Sequence, residues 1–202
     1  NNAGITNLMS AEDFLVDATT RHQIFVQRFA GGQVKEMLGY LRDLIFQVEI
    51  KLAQAQSLSQ AQKLSVNLQE IRLLLDEGLK AASGNLLANT SDFAEYEAEF
   101  AVKTLNAAST VDAVLPESRV LQAIVNNKPM ELITDKATQR LTMNQAITSF
   151  NAKKSAEITR AIQTGYINGD TTDAISRTVR GLAKRQANQA DALVRTTVNH
   201  IS

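Results

Sequence analysis

Three sets of residues carry groups that could do chemistry. Glu95 and Glu99, in the run EYEAEF from Glu95 to Phe100, stand four apart and share a helix face. Paired carboxylates can move protons or hold a metal. No His or Asp stands beside them in sequence, and acids are rarely buried, so a solvated acidic face is expected. Asp170 and Asp173 flank a turn, QTGYINGDTT. They lack the D-x-D-x-D-G order and the closing bidentate Glu of a calcium loop. Their expected work is to meet the positive end of a helix. His22 has no second His or carboxylate at ligand spacing, so a packed or partner-facing ring is expected. The chain holds 2 His and no Cys, which removes thiolate chemistry, disulfides and Cys-type zinc sites. No glycine-rich phosphate loop or serine elbow occurs. No catalytic residue, metal ligand or cofactor is expected.

The basic residues point elsewhere. Arg177, Arg180, Lys184 and Arg185 follow the glycine-bearing turn, and Arg195 lies further on. Two helices meeting at a short turn, with bases on the second, have the outline of a helix-turn-helix. Such bases can contact phosphates, which needs only charge and reach. The background agrees in sign: residues 1–101 hold 8 Lys/Arg against 13 Asp/Glu, and residues 151–202 hold 8 against 4. A basic tail behind an acidic body fits nucleic acid, although a surplus of four charges is also an ordinary solvated surface.

Long helices must position these groups. Gly (9) and Pro (2) are scarce, aromatics make up 5%, and Leu and Ala carry the apolar content. Ser10 caps a first helix, with Glu12 and Asp13 in its first turn and Phe14, Ala18, Phe25 and Phe29 near one face. Gly31-Gly32 is expected to end it. A second helix, Gln33 to Ala55, carries Val34, Met37, Leu38, Leu41, Ile45, Val48 and Leu52 at helical spacing. Ser59 and Gln62 form a capping-box pattern for a third, to Ala82, which Gly84 closes. Its stripe is Leu64, Leu68, Ile71, Leu75 and Leu79, and the two pair as an antiparallel hairpin. Ser91 caps a fourth helix, to Asn106.

Val111 to Leu115 reads as a short strand or an extended arm. Pro116 opens a short helix, and Asn126-Asn127-Lys128-Pro129 breaks it. Helicity resumes at Leu132 or Thr142 and ends before Gly165. Gly165 and Gly169 are expected at positive φ, with Tyr166 and Ile167 inward. Thr171 or Thr172 caps the next helix, whose stripe is Ile175, Val179 and Leu182. Gly181 interrupts it, and a last helix carries Ala190, Leu193, Val194, Val198 and Ile201. No apolar run approaches the roughly 18 residues that span a bilayer, and the N-terminus lacks the features of a signal peptide. Without an initial Met, and stopping inside a helical pattern, the chain reads as truncated at both ends.

The run I-x-x-G-Y-I-N-G-D-T-T-x-x-I-S-R-x-V-R-G, followed by A-D-A-L-V-R-T-T-V-N-H-I-S, resembles the head-morphogenesis (Mu F-like) family of tailed-phage minor head proteins. That family has a glycine-bounded turn, a Thr/Ser cap and an A-x-x-x-x-R-T helix, matched by Ala190, Arg195 and Thr196. TTRHQIFVQRFAGGQVKEMLGYLRDL, DFAEYEAEF and NNKPMEL look like its longer podovirus-type members. The resemblance implies a virion protein inside the head near the portal vertex, in several copies. Its implied partners are the portal protein or the major capsid protein, with non-specific contact to phage genomic DNA and no membrane in the mature head. It brings no catalytic residues. Arg195 is expected in a salt bridge or partner contact, and Thr196 bonded to a helix carbonyl.

The expected fold is all-α: an elongated helical hairpin or bundle over residues 1–107, an irregular hinge over 108–130, and a smaller C-terminal helical module over 131–202. The expected function is structural, in head assembly, DNA packaging or genome delivery. An internal ejection protein and a helix-turn-helix regulator are the alternatives.

Overall fold

The computed structural model describes residues 10–109, 112–133 and 138–202. Val111 lies outside them. Among the described residues the fold is all-α apart from one small hairpin. Helix α1 (Ala11–Gln54) is 44 residues long, about 66 Å at 1.5 Å per residue. A single 3-10 turn, Ala55–Ser57, reverses the chain. The one-turn helix α2 (Gln60–Gln62) opens on the expected capping box between Ser59 and Gln62. A π-helical turn, Lys63–Asn67, then leads into α3 (Leu68–Ala108), 41 residues long. These two long helices form the expected hairpin.

Both run through the glycines expected to stop them. Gly31, Gly32 and Gly84 lie inside helices, and Ser91 caps nothing. A mid-helix glycine costs about 1 kcal/mol. Burying one large apolar side chain returns roughly 1.5–3 kcal/mol. Val26, Ala30, Val34 and Met37 are buried on either side of Gly31-Gly32, so packing carries α1 through.

From Asp112 to Glu117 the chain has no regular secondary structure. Asn106 pins this arm by accepting from the Ala113 N–H (2.7 Å) and donating to the Ala113 carbonyl (3.1 Å). Pro116 and Glu117 then lead into α4 (Ser118–Asn127). Helicity does not resume at Leu132. That residue lies in β1 (Met130–Ile133), paired antiparallel with β2 (Thr138–Leu141), Met130 opposite Leu141. The hairpin anchors through Met130, which is buried with Met143. Thr142 is the cap of α5 (Met143–Asn168), in a full capping box with Gln145. Helix α6 (Thr172–Ile201) follows, unbroken at Gly181.

The C-terminal helices lie against the hairpin. Helix α1 contacts α3 and α6, and α5 closes the ring between them. Three apolar clusters run along the molecule. One joins Val48, Leu52, Ile71 and Leu75 of the hairpin to Ile162, Tyr166, Ile175 and Val179. The middle one joins Val34, Met37 and Leu86 to Met143, Ala190 and Val194. The far one joins Val26, Ala30 and Phe93 to Val198. Low residue numbers in α1 thus meet high numbers in α3 and α6, so both run antiparallel to α1. Among the described residues no helix is long and apolar enough to cross a membrane.

Candidate binding face around the α5–α6 turn

The turn is built by three residues with different tasks. Gly169 closes α5 in the left-handed region at φ 76°, where a side chain would be strained. Its N–H donates to the Tyr166 carbonyl at 3.2 Å, and the Asp170 N–H donates to Gly165 at 2.9 Å. Gly165 lies within α5, not after it, and its φ is negative. Its glycine is required by closeness: a Cβ there would sit 2.5 Å from Ile175 Cγ1. Thr171 is the N-cap of α6, its hydroxyl accepting from the Ala174 N–H at 3.2 Å. Thr172 is the first helical residue, and its hydroxyl instead accepts from Gln56 Nε2 at 3.0 Å.

Tyr166 points inward as expected, while Ile167 is exposed. The Tyr166 hydroxyl donates to Asn67 Oδ1 at 2.6 Å, and Asn67 Nδ2 donates to the Lys51 carbonyl at 3.0 Å. The turn is thereby tied to both helices of the hairpin. Burial pushes the Tyr166 phenol up to about 12, because the phenolate would lose its water.

The expected bases are all exposed, but they do not form one patch. Arg180 and Lys184, four apart, face α1 and line a groove with Arg42. Arg185 turns to the α5 side and lines a recess with Glu157, Arg160 and Asp170. Arg177 is held along its own helix, Nε 3.4 Å from the Asp173 carbonyl. Arg180 Nε stands 2.9 Å from Glu49 Oε1. This is a charge contact rather than an aligned hydrogen bond, so that buried oxygen keeps free acceptor capacity. Arg195 is in the expected ion pair, with Asp191 at 3.0 Å. The hydroxyl that bonds back to the helix belongs to Thr197, donating to the Leu193 carbonyl at 2.8 Å, one residue beyond the expected Thr196.

Away from the turn, two largely buried ionisable side chains, His22 and Lys154, have polar partners on other helices. His22 Nε2 lies 2.9 Å from Glu97 Oε2, and its ring stacks on Phe100 at 3.8 Å. Burial raises the Glu97 carboxyl, and this outweighs the charge and hydrogen bond of His22, which lower it. The signal for Glu97 was its place three and four residues after the buried Ala94 and Phe93, yet its partner is 75 residues away. Lys154 is only 2% exposed. Its Nζ donates to Glu157 Oε2 at 3.2 Å and to Gln189 Oε1, and lies 5.5 Å above the Phe150 ring. Burial pushes Glu157 upward, but hydrogen bonds from Gln186 and Lys154 and the charges of Lys154 and Lys153 prevail, and its pKa is lowered. Both arrangements read as packing, since neither opens onto a grouped set of acid, base and nucleophile. Among the described residues no three His, Asp or Glu gather as metal ligands.

No protein-family model matches the chain, and neither a curated protein nor a solved structure is significantly similar to it.

Proposed function

We propose that the protein is a structural minor head protein of a tailed phage. It docks at the portal vertex or inner capsid and assists head assembly, DNA packaging or genome delivery. The observation that carries the reading is the stretch from Gly165 to Thr171. Four of the residues through which it resembles the Mu F-like family have a specific task there: close packing at Gly165, a left-handed cap at Gly169, an inward phenol at Tyr166 and an N-cap at Thr171. A turn built for packing suits a protein that works by shape and docking. The exposed bases leave a secondary, non-specific contact with packaged DNA.

The regulator alternative has less support. A recognition helix needs one free face of bases aimed into a groove. Here Arg180 faces Glu49 and Arg185 lies on another side of α6.

The test is co-expression with a tailed-phage portal protein from the same genome. The expected outcome is co-purification with portal rings, and a DNA shift that is weak and falls steeply with salt. Changing Arg177 and Lys184 to Glu should abolish that shift and spare the fold, since both side chains are exposed. Sequence-preferring DNA binding at physiological salt without portal association would overturn the reading.

A further inference from the structure

The groove between α1 and α6 has a chemistry that names its occupant. Its floor is apolar: Leu38, Leu41 and Ile45 from α1, and Ala183 and Ala187 from α6. Phe46 stands at its edge and is 60% exposed, a large ring left in water. The rim is basic on both walls, with Arg42 on α1 and Arg180 and Lys184 on α6. The acid in the lining, Glu49, is met by Arg180. The volume is about 410 Å³, within the usual range for ligand-holding clefts.

We propose that this groove takes an acidic amphipathic helix presented by a protein partner. Leu38 to Glu49 runs about 16 Å along the helix axis. That length accommodates anchors at i, i+3, i+4 and i+7 of a docked helix. The two long walls run antiparallel along the cleft and present no free strand edge, so a helix fits and an added strand does not. An apolar stripe in the groove would place its flanking carboxylates beside Arg42 on one side and Lys184 on the other. Opposite charges on both flanks fix register and speed encounter. A nucleic-acid backbone would use the rim but gain nothing from the floor or from Phe46. The proposal deepens the docking reading, on which it rests only for the existence of a protein partner.

The probe is a labelled synthetic helix of about five turns, with Leu on one stripe and Glu on the flanks. Its anisotropy is followed with the full chain at about 0.15 M salt, where exposed charges are screened beyond roughly 8 Å. A matched peptide with Lys for Glu and a short DNA duplex are the competitors. The acidic peptide is expected to bind at least tenfold tighter than the basic one. Phe46→Ser, and Arg42→Glu with Lys184→Glu, should each weaken it tenfold or more while thermal unfolding stays unchanged. Equal binding of the two peptides, indifference to Phe46→Ser, or full displacement by duplex would each overturn the proposal. So would a dimer in sedimentation equilibrium that Phe46→Ser converts to monomer, because a second copy would then own the groove. Portal association that survives all three substitutions sinks the groove and spares the docking reading. Peptide binding without portal association does the reverse.

Discussion

Tyr166 shows how much one residue can hold. Its hydroxyl joins the end of α5 to Asn67 before α3, and Asn67 passes the link to the Lys51 carbonyl in α1. The folded chain keeps the phenol proton up to about 12, whereas an unfolded tyrosine loses it near 10. Between those values the folded state binds more protons, so stability falls as pH rises. At about 1.36 kcal/mol per unit the loss is roughly 2–3 kcal/mol. It is absent below about pH 10. Tyr166→Phe should flatten this alkaline decline in urea titrations compared with the parent chain. At neutral pH the same change should cost about 1–3 kcal/mol, because Asn67 Oδ1 is left buried without its donor. An unchanged alkaline slope would mean that the phenol is not protected. The residues in the turn show what sequence can and cannot tell. The left-handed Gly169 was readable from its turn context. Gly165 was readable as important, but for the wrong reason, because its neighbour Ile175 lies on the next helix.

At the scale of elements, the glycines divide by their surroundings. A Cβ at Gly31, Gly32, Gly84 or Gly181 would meet nothing within 4 Å. Each sits in a helix, where alanine is better by up to about 1 kcal/mol. Gly31→Ala, Gly84→Ala and Gly181→Ala should therefore raise stability by about 0.5–1 kcal/mol each, measured by chemical denaturation. Gly165→Ala should lower it by about 1–3 kcal/mol, the usual cost of overpacking, and Gly165→Ala with Ile175→Ala should cost less together than the sum of the two alone. Gly78 belongs with Gly165, since a Cβ there would lie 2.6 Å from Leu44 Cδ1. If Gly84→Ala destabilised the chain, the continuous α3 would be in doubt. The same contrast explains which boundaries were legible. Side-chain caps act locally: Ser10, Ser59 with Gln62, and Thr142 with Gln145 begin helices, although Ser91 lies within α3 and caps nothing. Glycine writes only a permission to stop. The buried rows beside Gly31 and Gly84 overrule it. The β-hairpin was missed because four-residue strands carry too little alternation to stand out.

At the scale of the whole molecule, each of the three clusters draws on both the hairpin and the C-terminal helices. Neither part buries its apolar face alone. Unfolding should therefore be a single transition, with tyrosine fluorescence and far-ultraviolet dichroism coinciding in urea. Two separated transitions would show that the hairpin stands without α5 and α6. Amide exchange should be fastest in α4, which has no buried residue, and slowest beside Val48, Leu52, Ile71 and Leu75.

The sequence by itself determined the helical class, the apolar stripes and most of the capped starts of helices. Each of these depends on neighbours within about one turn, where residue order and spatial order agree. It also marked the turn near Gly169 as the feature that most sets the chain apart. Only the tertiary structure decided that α1, α3 and α6 run past their glycines, that His22 meets Glu97, and that the bases after the turn lie on different sides of α6. Those outcomes depend on side chains many residues apart competing for one place. Their energies, at roughly 1.5–3 kcal/mol per buried side chain, exceed the local preferences that a sequence displays.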